Sequence, residues 1–163
     1  MILIALGANL PTNQFGSPIQ TLTAAIIAVN EAGVKVVSQS RWYESAAVPP
    51  SDQPNYINGV IAVETVMQPS ELLGLLHEIE HEFGRRRFVR NEARGLDLDL
   101  IDYDGMIVDD GHITLPHPRM QQRAFVLLPL AEIAPNWVHP TSAQPLRQLI
   151  NSLPDDGPVF PIE

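Results

Sequence analysis

Between positions 85 and 99 the chain places five arginines (Arg85, Arg86, Arg87, Arg90 and Arg94) directly ahead of two aspartates, Asp97 and Asp99. In Leu96-Asp97-Leu98-Asp99-Leu100 the alternation has the two-residue period of a strand, so both carboxylates project from one side. Such a pair suits Mg²⁺, which takes oxygen ligands, keeps several waters, and is usually held by one or two carboxylates together with substrate phosphates. A D-x-D by itself is as readily a solvated strand face. The arginines upstream change the weighting, because guanidinium forks beside a divalent-ion site are what a polyphosphate needs for neutralisation and alignment.

A competing motif precedes them. His77-Glu78-Ile79-Glu80-His81 spells H-E-x-x-H, two histidines one helical turn apart with a glutamate between, as in zinc hydrolases. In the longer form of that pattern the third histidine would fall at Arg87, a cation that cannot ligate zinc. A helix that buries Ile79 and turns its polar residues outward accounts for the same letters without metal, and the zinc site ranks second. A non-catalytic ligand-binding module is a third reading, since a fold does not decide a function.

Composition narrows the field. With 163 residues, 45% of them hydrophobic and 18% charged, the chain fits one catalytic domain over 1–163 with a real core. A net charge of -9 speaks against a general nucleic-acid binder. The cations are nevertheless concentrated: Arg119 and Arg123 join the five above, and Lys35 is the one lysine among ten basic residues. No apolar run approaches the roughly 20 residues needed to cross a bilayer, and Met1 leads into Ile2, Leu3 and Ile4 without a basic segment. A cytoplasmic, non-membrane, monomeric protein is expected. Without cysteine, any metal must use oxygen or nitrogen ligands.

The elements that must position these residues are legible from periodicity. Met1–Leu6 is a short apolar run ending at Gly7, a buried strand. Ser17 and Pro18 open a helix with apolar positions Leu22, Ala25, Ile26 and Val29, and Gly33 stops it. Val34–Ser40 with Trp42–Ala47, then Tyr56–Val66, form strands expected to pair antiparallel across a Pro-rich loop. Pro69 and Glu71 open a second helix whose Leu72, Leu76, Ile79 and Phe83 make one stripe before Gly84. After the arginine segment, Leu96–Tyr103 is the next strand; Arg123–Ile133 is a helix interrupted or bent at Pro129, and Leu146–Leu153 a last short one. The order predicts an α+β fold: a ferredoxin-like βαββαβ antiparallel sheet with extra C-terminal helices and strands.

Several segments, taken in order, resemble the 6-hydroxymethyl-7,8-dihydropterin pyrophosphokinase family of folate biosynthesis over nearly the whole chain. They are Ala5-Leu6-Gly7-Ala8-Asn9-Leu10, Asp52-Gln53-Pro54-Asn55-Tyr56-Ile57-Asn58, Gly84-Arg85-Arg86-Arg87, Arg94-Gly95-Leu96-Asp97-Leu98-Asp99-Leu100, Leu115-Pro116-His117-Pro118-Arg119-Met120 and Arg123-Ala124-Phe125-Val126-Leu127. Each is short; their joint order and spacing are specific.

The resemblance implies transfer of the β,γ-pyrophosphoryl unit of ATP to a pterin hydroxymethyl oxygen, with AMP released and two Mg²⁺ ions bridged by Asp97 and Asp99. It implies transition-state roles for Arg85 and Arg94, ATP-phosphate contacts for Arg87, His117 and Arg123, and an adenosine side formed by Glu80, Leu100 and Thr114. For the pterin it implies a sandwich between Tyr56 and Phe125, with Asn58 and the backbone of Ser45, Ala46 and Val48 along the polar edge. Phe125 in an apolar helix could equally be core, whereas asparagine is depleted in strands and a buried amide needs partners. The chain departs from the family pattern at Asn91, Glu92 and Ala93, where many members have Trp-Gly-Pro, at Pro118, where a tyrosine is common, and at Ser45-Ala46, in place of Thr-Pro. Those departures bear on loop closure, nucleotide affinity and turnover, and leave the reaction type in place.

Overall fold

A computed structural model of the chain describes residues 1–47, 52–84 and 95–162. A six-stranded antiparallel sheet forms its middle: β1 (Ile2–Ala8), β2 (Lys35–Gln39), β3 (Tyr43–Ser45), β4 (Tyr56–Glu64), β5 (Asp97–Tyr103) and, near the C-terminus, a short strand over Val159–Pro161. The spatial order is β5-β1-β4-β3 followed by that last strand, with β2 also on β4. Counting β2 and β3 as one broken strand, the core is the expected ferredoxin-like βαββαβ arrangement.

One face is covered by two helices, α1 (Pro18–Glu31) and α2 (Pro69–Glu82). The start of α1 is a capping box: Ser17 Oγ accepts from the Gln20 N–H at 3.3 Å and Gln20 Oε1 accepts from the Ser17 N–H at 2.9 Å, with Pro18 pre-set for the first turn. Leu22, Ala25 and Val29 of α1 and Leu72, Leu76 and Ile79 of α2 meet Ile2, Ile4 and Leu6 of β1 in one apolar core. Gly84 closes α2 at a φ of 84°, a left-handed position that glycine reaches without strain.

The other face is covered by α3 (Ala124–Ile133) and α4 (Leu146–Asn151), which pack on Leu3, Ala5, Val60, Ala62 and Ile101. Pro129 sits within α3 without interrupting it, although it withholds the N–H that the Phe125 carbonyl would otherwise receive. A small ribbon, β6 (Val108–Asp109) with β7 (Thr114–Leu115), and a 3-10 turn at Met120–Gln122 lead into α3. Hydropathy periodicity does not delimit this ribbon or the C-terminal strand, because runs of two or three residues are shorter than the window a period needs.

An irregularity in β5 carries weight. Leu3 of β1 pairs with Asp102 while Ile4 pairs with Leu100, so β5 holds one extra residue at Ile101. In a regular strand Asp102 would face away from Asp97 and Asp99; the bulge turns it to the same face as they take. There its carboxylate is buried and accepts from Trp137 Nε1 at 2.8 Å and the Gly105 N–H at 3.0 Å. The alternation thus accounts for Asp97 and Asp99 sharing one side, whereas Asp102 joins them only through the bulge and anchors the C-terminal segment instead of facing the site.

The break between β2 and β3 is built around Ser40 and Gly59. Ser40 Oγ accepts from the Val60 N–H at 3.0 Å and donates to the Arg41 carbonyl at 2.8 Å. Trp42 packs against Gly59, where a Cβ would come within 2.6 Å of the indole ring. A rigid ring against backbone cannot give way cheaply. Gly59→Ala is therefore expected to destabilise the fold by about 1–3 kcal/mol, measured by urea denaturation with tryptophan fluorescence as the probe.

Candidate active site

The side chains of β1 on the α3 face shrink toward its end: Leu3, then Ala5, then Gly7. Leu3 is core; past it the face opens into a cleft of about 800 Å³ including its mouth, lined by Ala5, Gly7, Ser45, Tyr56, Asn58, Asp97, Asp99, Arg123 and Phe125 among others. Strand register lays out its floor in two rows, Val60-Ala5-Asp99 and Asn58-Gly7-Asp97. Directly opposed residues in such a ladder have Cβ atoms roughly 4.5–5.5 Å apart, so small residues in the middle strand leave space between the acids of β5 and the amide of β4. A Cβ at Gly7 would lie 3.3 Å from Asn58 Oδ1.

Asn58 is buried, and its Nδ2 donates to Ser45 Oγ at 2.9 Å. That bond fixes the amide plane, so the group is set before any ligand arrives. Tyr56 borders the cleft from β4 and Phe125 from the first turn of α3, while Ala46 continues the edge beyond Ser45. Arg123, at the N-cap of α3, holds its Nη1 3.9 Å from Asp99 Oδ2 and its guanidinium carbon 5.6 Å from the centre of the Phe125 ring. The pair with Asp99 is long and partly open to solvent, so by itself it contributes little.

His117 lies beside this group. Its N–H donates to the Ile101 carbonyl at 2.9 Å, and its Nδ1 accepts from the Arg119 N–H at 3.2 Å, which puts the ring proton on Nε2. Burial, with Arg123 and Arg119 adding positive charge nearby, brings its pKa down to about 4 against the opposing pull of Asp97. The imidazole is neutral at pH 7 and presents a donor.

The remaining candidates are placed differently. Glu80 is 2% exposed on α2, where its carboxylate accepts from the Leu98 N–H at 3.1 Å, on the strand side away from β1. Leu100 is buried in the core of the α1/α2 face, and Thr114 is exposed on β7, which packs beside β5. Val48, Arg85, Arg87 and Arg94, together with Arg86, Arg90, Asn91, Glu92 and Ala93, lie outside the described residues. His77, Glu78 and His81 are exposed on the outer side of α2 while Ile79 and Glu80 are buried, and among the described residues no cluster of three or more His, Cys, Asp or Glu side chains has metal-binding geometry.

Residues that periodicity did not single out also shape the cleft. Asn9, 1% exposed just past β1, donates from Nδ2 to Gln53 Oε1 at 3.1 Å and to the Pro54 carbonyl at 3.1 Å, and Gln53 lines the wall. A buried amide in a turn must find partners, but only the fold reveals that they lie more than forty residues away. Ala5 and Gly7 matter through what they lack, which a search for reactive side chains overlooks.

The donor set fits a hard cation. Asp97 and Asp99 supply carboxylate oxygen from adjacent rows of the floor, with no thiolate in the chain and no third acid gathered on them among the described residues. That is too few ligands for a closed protein cage, and the number Mg²⁺ uses when waters and phosphate oxygens complete its shell.

Known proteins resemble this chain along most of its length. The family model described as 7,8-dihydro-6-hydroxymethylpterin-pyrophosphokinase matches residues 3–135. A Synechocystis protein named 2-amino-4-hydroxy-6-hydroxymethyldihydropteridine pyrophosphokinase is 42% identical over 161 residues, 98% of this chain and 79% of that protein. The Haemophilus influenzae protein of the same name is 40% identical over 153 residues, covering 93% of this chain and 92% of that one. Among solved structures, Plasmodium falciparum HPPK-DHPS superposes with a TM-score of 0.72 at 13% identity, over 92% of this chain and 43% of that one. That likeness speaks for the fold alone, and this chain spans less than half of that longer protein. Matched along most of its length by the family model and by these two bacterial relatives, the chain belongs to the 7,8-dihydro-6-hydroxymethylpterin-pyrophosphokinase family.

Proposed function

We propose that the cleft is the active site for transfer of a pyrophosphoryl group from ATP to a hydroxymethyldihydropterin, yielding the pterin diphosphate and AMP, and that Asp97 and Asp99 hold two Mg²⁺ ions there. The observation that carries this reading is the floor itself. Two carboxylates from adjacent rows of β5 face a pre-set amide, Asn58, across the side-chain-poor Ala5 and Gly7, with Arg123 at the rim.

Each part has a physical task. A flat pterin fits a slot bordered by Tyr56 and Phe125, and the Asn58 amide, with Ser45 and Ala46 beside it, can both donate and accept along a polar ring edge. Arg123 and neutral His117 offer N–H donors to phosphate oxygens, one as a cation and one through Nε2. The bound cations would neutralise charge on the phosphates and hold them in line with the attacking hydroxyl. Arg85, Arg87 and Arg94 belong to the same reading as further phosphate and transition-state contacts. Glu80, Leu100 and Thr114 belong to it as the adenosine side, at β5 and beside it. The same reading takes the chain as one catalytic domain, monomeric and cytoplasmic; no helix among the described residues is long and apolar enough to cross a membrane.

The direct test is AMP release from Mg²⁺, ATP and 6-hydroxymethyl-7,8-dihydropterin. Asp97→Ala and Asp99→Ala are each expected to lower kcat by roughly a hundredfold or more while leaving the circular dichroism spectrum intact. AMP formation at the parental rate in either variant would sink the assignment.

His117 yields a second prediction, through pH. The unfolded chain takes up a proton below about pH 6.5, whereas folded His117 resists until about pH 4. Its contribution to stability is therefore full above pH 6.5 and is lost as pH falls toward 4. His117→Gln is expected to flatten the pH dependence of the urea midpoint across that interval, and an NMR titration of the metal-free protein to place the ring's midpoint near the lower limit.

A further inference from the structure

Outside the cleft, one polar cluster joins two elements that border it. Glu132, near the end of α3, accepts through Oε1 from the Arg41 N–H at 2.8 Å and through Oε2 from Arg41 Nε at 3.0 Å, and the Tyr43 hydroxyl donates to the same Oε2. Arg41 precedes β3 and Tyr43 begins it. Tyr43 is 6% exposed, and burial together with the Glu132 bond pushes its phenol up, so it remains a donor. Burial works to raise the Glu132 carboxyl, but the bonds from Tyr43 and Arg41 outweigh it and hold the group below its ordinary range. Three donors on one carboxylate make a stiff joint between a helix and a strand.

Its location gives the joint a use. Glu132 follows Phe125 by seven residues, two helical turns, so the two lie on nearly the same stripe of α3, about 10.5 Å apart along the axis. Tyr43 pairs in register with Asn58, and two residues on, Ser45 accepts from that same amide. The cluster therefore bolts the helix carrying Phe125 to the strand carrying Ser45, beside the slot that those two residues line. Backbone ladders set the spacing of β3 from β4, but among the described residues no backbone hydrogen bond joins α3 to the sheet, so the height of Phe125 above the floor rests on side-chain packing and this joint.

We infer that Glu132 is a positioning residue for the pterin: by gripping Tyr43 and Arg41 it sets the gap between Phe125 and the strand edge at Ser45, and pterin affinity depends on that gap. The inference rests on the reading of the cleft as a pterin site. The nucleotide groups on β5 and at His117 are carried by the sheet and by the segment ahead of α3, while Arg123, which caps α3, sits at the end of that helix away from Glu132.

The test measures the Kd of 6-hydroxymethylpterin, by its own fluorescence, and of a non-hydrolysable ATP analogue with Mg²⁺, by calorimetry, for the parent, Tyr43→Phe, Glu132→Gln and the double variant. Each single change is expected to weaken pterin binding roughly tenfold. The ATP analogue should stay within about twofold, and the double variant should be no worse than the singles, because the two side chains act as one unit. Retained nucleotide binding reports that the variants are folded, and Tyr43→Phe, which removes one oxygen, keeps the test available should Glu132→Gln fail to fold. Pterin affinity unchanged in Tyr43→Phe, or equal losses for both ligands, overturns the inference while leaving the site reading in place. A parent protein that binds no pterin overturns both.

Discussion

A sheet face packed at one end and open at the other is the constraint from which the site follows. Interiors are filled to crystal-like density, so a cleft above a sheet exists only where the sequence withholds side-chain volume. Here β1 withholds it in steps, from Leu3 through Ala5 to Gly7, while α3 begins only at the point where the face starts to open. The opposite face of the same strand, with Ile2, Ile4 and Leu6, is sealed by α1 and α2 and keeps the floor rigid. One strand thus serves as core on one side and binding floor on the other.

Rigidity of the floor matters because its polar groups are costly to bury and must be aligned in advance. Asn58 is held by Ser45, Asn9 by Gln53 and the Pro54 carbonyl, and Glu80 receives the Leu98 N–H beside the strand that carries both aspartates. Asn58 and Asn9 each spend hydrogen bonds on another part of the wall, so there satisfying a buried group and orienting the ligand contacts are the same task. The bulge at Ile101 extends the principle: it brings Asp102 to the face of the two cleft acids, where Trp137 and the Gly105 N–H take up its carboxylate as a structural group.

Much of this was legible beforehand, residue by residue. The helix start at Ser17 and Pro18, the apolar stripe of α2, the strand period around Asp97 and Asp99 and the short β1 run all appear as the chain letters suggest, because each is a local preference of a few consecutive residues. The H-E-x-x-H motif shows the opposite case. Its letters carry a metal-site pattern, yet His77 and His81 point outward while Glu80 turns in toward β5. The joint of Glu132 with Tyr43 and Arg41 left no trace in periodicity, since its members are some ninety positions apart.

By itself the sequence determined which stretches become helix or strand, that two acids share a strand face beside a run of arginines, and, through ordered short motifs, to which family the chain belongs. Only the tertiary structure decided which end of the sheet stays open, which of the three β5 acids faces it, and which distant side chains hold its walls apart. The reason is physical: local propensities act between neighbours in the chain, whereas space, register and burial are properties of segments brought together from far apart, and no single stretch encodes them.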